Sequence, residues 1–199
     1  MLHAVGHSVP KAKLYDDLLG KALEGDYDGG GLLAYNYLSG ETMTELYEGR
    51  PLFVRKAESS FTLANFMRTQ LYTALGVLRI GMDILFEQEG VSIDSITGHG
   101  GFFKTALVGQ KMMASALHTP VATLKSAGEG GAWGIALLAS YLVNKKGRTL
   151  AEFLDQDVFA GAERTIVEAT GAEIEGFNKF MERYKEGLGI ERAAVEFLR

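Results

Sequence analysis

The sequence predicts an α/β domain in which a mixed sheet is flanked by helices, and three observations carry that reading. An alternating run, Val91-Ser92-Ile93-Asp94-Ser95-Ile96-Thr97, stops abruptly in Gly98-His99-Gly100-Gly101, the pattern of a strand entering a glycine loop. A helical stripe follows, and then Pro120 introduces a short strand, Val121 to Leu124, so that strand, loop and helix come twice in succession. Between Thr62 and about Gln88, the residues Leu63, Phe66, Met67, Leu71, Ala74, Leu75, Leu78, Met82 and Leu85 lie on or near one stripe, which predicts a long helix packed on a sheet and closed by Gly90.

The remaining elements follow in chain order. Pro10 to Leu23 sets Leu14, Leu18, Leu19 and Ala22 at near-helical spacing, with Pro10 suited to a helix start and Gly25 just past the end. Gly29-Gly30-Gly31 leads into a buried strand over Leu32–Leu38, bounded by Ser39-Gly40. The glycine loop at 98–101 predicts a helix from about Thr105 to Leu117, with Thr105 as its cap, His118 at its negative end, and Met112, Met113, Ala116 and Leu117 in the core. Ser126-Ala127-Gly128-Glu129 has the form of a capping box ahead of an apolar helix containing Trp133, Ile135, Leu137, Leu138, Tyr141 and Leu142. The whole of 1–199 reads as one domain, with 147–199 its helical tail, where Leu150, Phe153, Leu154, Phe177, Phe180, Met181 and Tyr184 supply packing stripes.

Composition narrows the function. With 47% hydrophobic and 23% charged residues the chain is in the ordinary globular range, long enough to bury a core without staples. It has no cysteine, which excludes disulfides, thiolate metal sites and cysteine nucleophiles and makes the cytoplasm the expected compartment. A formal net charge of -5 without a clustered basic face argues against nucleic acid as a partner. No apolar run approaches the ~20 residues of a membrane helix, so no membrane partner is expected; a homodimer is left open.

A strand that ends in a glycine loop opening a helix is a place where a phosphate can sit, because glycine admits close backbone approach and the helix end offers unpaired N–H groups. Gly98, Gly100 and Gly101 have that form, yet they complete neither a Walker loop nor a dinucleotide fingerprint. Lys104 reads equally as a phosphate partner and as a solvated side chain. Glu129 is accounted for by capping, His99 as a loop residue with no metal-ligand spacing around it, and Trp133 as core before stacking platform. No catalytic or metal-ligating residue emerges.

The ordered block Gly100-Gly101-Phe102-Phe103-Lys104-Thr105, then Gln110, then Thr119-Pro120-Val121, then Glu129-Gly130-Gly131-Ala132-Trp133-Gly134-Ile135-Ala136-Leu137-Leu138-Ala139, with Tyr37-Leu38-Ser39-Gly40-Glu41 upstream, resembles the second-domain signature of the FGGY carbohydrate kinases. The resemblance covers roughly Leu32 to Leu142. It departs from the family pattern at Asn36, Thr42, Tyr72, Thr73, Phe102 and Phe103. The resemblance implies an actin-like, ribonuclease-H-like fold and the C-terminal half of an enzyme that moves the γ-phosphate of ATP, with Mg²⁺, to a sugar hydroxyl, a ketopentose such as xylulose or ribulose. It implies that Gly100 and Gly101 lie against the ATP or ADP phosphates, Thr105 near the adenosine, and Gly130 and Gly131 at the adenine pocket. The catalytic aspartate and most sugar contacts would belong to an N-terminal domain, so the chain alone is expected to be inactive. The rival expectation is a non-catalytic actin-like interaction domain that no longer binds nucleotide, for which the bulk of Phe102 and Phe103 speaks.

Overall fold

The structure, a computed structural model, describes residues 8–125 and 130–198. Helix α1 (Lys11–Lys21) starts at Pro10, whose fixed φ of -54° suits the cap, and a 3₁₀ turn over Ala22–Glu24 ends it before Gly25. Strands β1 (Leu33–Tyr35) and β2 (Leu52–Val54) form an antiparallel hairpin in which Leu33 faces Val54 and Tyr35 faces Leu52. Its entry needs glycine at position 30: φ is 65°, and a Cβ there would collide with the amide of Asn65.

Helix α2 (Leu63–Asp83) is capped by Thr62, whose hydroxyl accepts the N–H of Asn65 at 3.1 Å, and closes in a π-helical turn to Gln88. The second sheet is β3 (Ile96–Gly98), β4 (Val121–Leu124) and β5 (Arg164–Val167), in that spatial order. β3 and β4 are parallel, joined through α3 (Val108–Leu117), and β5 adds antiparallel to β4. The mixed sheet flanked by helices is therefore as the patterning predicts. After α4 (Gly130–Asn144) and the short α5 (Leu150–Phe153), the chain ends in the 27-residue α6 (Gly171–Phe197), opened by a Thr170–Glu173 capping box.

Core formation centres on α6. Phe177, Phe180 and Tyr184 have no exposed surface and pack with Tyr72 of α2, Met112 of α3 and Tyr35 of β1. Each such apolar side chain contributes about 1.5–3 kcal/mol of burial. Gly76 lets α2 approach the ring of Tyr184, where a Cβ would come within 2.8 Å. The departures at Tyr72 and Thr73 are explained by this packing. The Tyr72 hydroxyl donates to the Tyr27 carbonyl at 3.0 Å, and the Thr73 hydroxyl to that of Ala34. Buried Arg68 donates to the Tyr72 hydroxyl at 2.9 Å and to the Leu23 carbonyl at 3.3 Å, a cation at the end of the α1 segment.

Several expectations are corrected. Of the alternating run only Ile96 and Thr97 are strand, in β3 with Gly98; among the described residues β3 pairs on one side alone, and Val91, bonded back to Leu85, stays exposed. The tail is not wholly helical: β5 lies within it and pairs with β4. α3 begins at Val108, not near Thr105; its preceding residue Leu107 is left-handed (φ 65°), and the Thr105 hydroxyl donates instead to Asp16 at 2.9 Å. The capping box at Ser126–Glu129 lies outside the described residues.

Candidate nucleotide site

The C-terminal ends of the parallel strands β3 and β4 point at the same region, the usual place for a ligand in an open α/β sheet. Beyond β3, the chain turns through Gly100 (φ 100°) into a 3₁₀ turn over Gly101–Phe103. No L-residue adopts that φ without strain, so Gly100 is fixed by backbone geometry. Beyond β4, α4 begins at Gly130, and a Cβ on Gly130 would sit 2.5 Å from the Cβ of His99. The His99 ring stacks over Trp133, 6.3 Å between centroids and 24° between planes. His99 thus links the two loops and brings the 100–101 segment and the 130–131 segment to one face.

Their surroundings differ. A Cβ built on Gly100, Gly101 or Gly131 meets no heavy atom within 4 Å, so the main chain there is open to an incoming group. Lys104 is exposed beside them. Thr105 turns away toward α1. The N-terminus of α3 is not open: Val108, Gly109 and Gln110 are buried, and Phe102 lies over Gly109 so closely that any side chain there would strike it. Phe103 fills the notch over Gly98. The two phenylalanines therefore close the helix-dipole position and leave the main chain of Gly100 and Gly101 as the accessible part of the loop.

Next to the loops is a cavity of about 360 Å³ lined by Leu124, Trp133, Val158, Phe159 and Gly161, with the Lys125–Glu163 ion pair also in its wall. Trp133 meets Phe159 edge-on at 5.8 Å. Trp133 is half-buried and outside the main core, which corrects the expectation of a core residue. Sequence reasoning missed Phe159, Gly161 and Glu163, since they come from the tail and reach the site only because β5 pairs with β4.

Gln110 has a positional role. Its amide donates to the carbonyls of Val121 at 3.0 Å and Thr165 at 2.8 Å, tying α3 to both strands beside the site. Among the described residues, no group of three or more His, Asp or Glu side chains is placed to hold a metal ion.

The description "FGGY family of carbohydrate kinases, C-terminal domain" matches residues 3–143. The chain belongs to that family. Its fold is the actin-like, ribonuclease-H-like one of the family's C-terminal domain. Among solved structures it is similar to a xylulose kinase of Lactobacillus acidophilus, at 19% identity and a TM-score of 0.66 over 90% of this chain and 34% of that one. It is similar to a gluconate kinase of the same organism, at 19% identity and a TM-score of 0.65 over 89% of this chain and 34% of that one. A glycerol kinase of Plasmodium falciparum with ADP aligns at 17% identity and a TM-score of 0.60 over 92% of this chain and 35% of that one. The FGGY domain thus spans about a third of the length of these neighbours. No curated protein matches it. No helix among the described residues is long and apolar enough to cross a membrane.

Proposed function

We propose that this FGGY domain is the nucleotide-holding half of a cytoplasmic sugar kinase. The observation that carries the reading is the unobstructed main chain at Gly100, Gly101 and Gly131, gathered at the carboxyl ends of two parallel strands beside a cavity of about 360 Å³. In this reading the phosphates of ATP or ADP lie along Gly100 and Gly101, with Lys104 beside them as a point charge. Gly130, Gly131 and Trp133 wall the nucleoside, and Thr105, held by Asp16, is withdrawn from it. Mg²⁺ enters with the nucleotide, held chiefly by its phosphates.

The reaction is phosphoryl transfer. A sugar hydroxyl oxygen bonds to the γ-phosphorus, the bond from that phosphorus to the β-phosphate oxygen breaks, and ADP leaves. The hydroxyl proton passes to a base on an N-terminal domain. Positioning between two domains supplies most of such catalysis, so the chain alone is inactive. The acceptor we assign is a ketopentose, xylulose or ribulose, an assignment supported by the fold likeness to a xylulose kinase and weakened by equal likeness to a gluconate kinase.

One observation favours a second reading, a non-catalytic interaction domain: Phe102 covers the end of α3, where an anion would gain most from the helix. Titration with ADP separates the two. Binding supports the kinase reading and its absence the other. A coupled ADP-release assay with xylulose, ribulose, gluconate and glycerol then tests the division of labour. Sugar-dependent turnover by the 199-residue chain alone would place the catalytic base within it and overturn the assignment.

A further inference from the structure

Helix α6 and the β1–β2 hairpin meet at Gly187, where a Cβ would come 2.5 Å from a side-chain carbon of Leu33. Arg183, Glu186, Gly187 and Ile190 recur at helical spacing and share one face of α6. Leu33 and Val54 are direct cross-strand partners and lie on one face of the hairpin; Phe53, on the other face, packs with Phe61 and Phe66. These two faces, with Arg55 and Lys56 just past β2, line a cavity of about 280 Å³.

The charge in this cavity is unbalanced. Arg183 is engaged: it donates to the Asp28 carboxylate at 3.0 Å and to the Asp28 carbonyl, although its buried Nε–H has no acceptor among the described residues. The Arg55 guanidinium lies 5.2 Å from the centroid of the Phe61 ring, a contact that orients it without neutralising it. Lys56 opens a turn closed by the Ser59 N–H on the Lys56 carbonyl at 3.2 Å. The Ser59 hydroxyl accepts the Lys56 N–H at 3.1 Å and donates to the Gly31 carbonyl at 3.0 Å, pinning the turn to the entry of β1. Among the described residues neither Arg55 nor Lys56 has a carboxylate partner, in a chain whose net charge is -5.

We propose that this cavity is a second ligand site, for a small monocarboxylate with an apolar body. Arg55 and Lys56 hold the carboxylate, and Leu33, Val54 and Ile190 receive the body. The volume is near the lower end of the ~300–1,000 Å³ of ligand pockets, which limits the ligand to a small acid. A sugar is disfavoured, because three aliphatic side chains leave its hydroxyl groups without partners. Glu186 in the same wall repels a second negative charge, which favours a monoanion over a phosphate ester. The site shares no residue with the nucleotide loops, so it stands whether or not the chain holds ADP.

The test titrates the chain with isocaproate, without nucleotide, and follows the backbone amides by NMR. We expect saturable shifts at Leu33, Val54 and Gly187. The uncharged isostere isocaproamide should bind at least about fivefold more weakly, as should isocaproate in the double variant Arg55→Gln, Lys56→Gln. Glu186→Gln should bind isocaproate about twofold more tightly, since it removes the opposing charge. All three substituted side chains are exposed, so circular dichroism is expected to stay native. Absence of saturable shifts at these amides, equal binding of the amide, or undiminished affinity in the folded double variant overturns the proposal. So does weaker binding in Glu186→Gln, or inorganic phosphate binding there as tightly as isocaproate.

Discussion

Gln110 is bonded to Thr165 across 55 residues of sequence, its amide 2.8 Å from the Thr165 carbonyl while also 3.0 Å from that of Val121. The one side chain holds helix α3 against both β4 and β5, and so fixes the strand ends from which the nucleotide loops spring. Replacing Gln110 by Leu removes one buried and one part-buried hydrogen bond; we expect a loss of about 1–3 kcal/mol. By thermal unfolding this is a fall in Tm of about 2–4 °C per kcal/mol for a chain of this size. An unchanged Tm would show that the two carbonyls do not depend on Gln110.

Glu191 of α6 is fully buried; one carboxylate oxygen accepts the Arg50 N–H at 2.6 Å and the other has no partner among the described residues. Burial pushes its pKa above the ordinary 4.5, against the opposing Arg50 bond and charge. The unfolded chain therefore releases the proton at lower pH than the folded one. Stability from this group is present below about pH 4.5 and is lost as pH rises through the folded-state value. We expect Glu191→Gln to raise Tm at pH 7.5 and to leave it unchanged at pH 4. A destabilised variant at pH 7.5 would mean that the charged form is the one the fold accommodates.

Trp133 stands between the glycine loop and the cavity, half-exposed, with His99 on one side and Phe159 on the other. Trp133→Ala is expected to weaken ADP about tenfold, within the 1–3 kcal/mol that an aromatic stack on a base is worth. Isothermal calorimetry reads the affinity and circular dichroism the fold. Undiminished affinity in a folded variant would take Trp133 out of the nucleoside wall.

Much of this was legible in the sequence where a local rule and the tertiary context agree. The stripes through α2 and α6, the short strand after Pro120 and the glycine turn at 98–101 each obey one periodicity or one turn requirement. Thr105 shows where such rules stop: its hydroxyl has the form of a cap, but Phe102 must pack over Gly109, so the first turn of α3 slips to Val108 and Thr105 finds Asp16 instead. β5 was hidden because Arg164 to Val167 is mostly exposed and becomes a strand only by pairing with β4. The role of Phe159 and Glu163 follows from that pairing and leaves no local pattern. Trp133 looked like core because its helix is apolar throughout. In the structure that apolarity faces outward.

The reading of the chain as a nucleotide-holding half is tested most directly at Gly101. A Cβ there meets no atom within 4 Å and the residue does not require a left-handed φ, so Gly101→Val leaves the fold intact while placing a branched side chain where the phosphates approach. Calorimetric titration with ADP is expected to show binding to the natural chain and at least a tenfold loss in Gly101→Val, at unchanged Tm. Equal affinity in the two proteins, or no heat of binding in either, would contradict it.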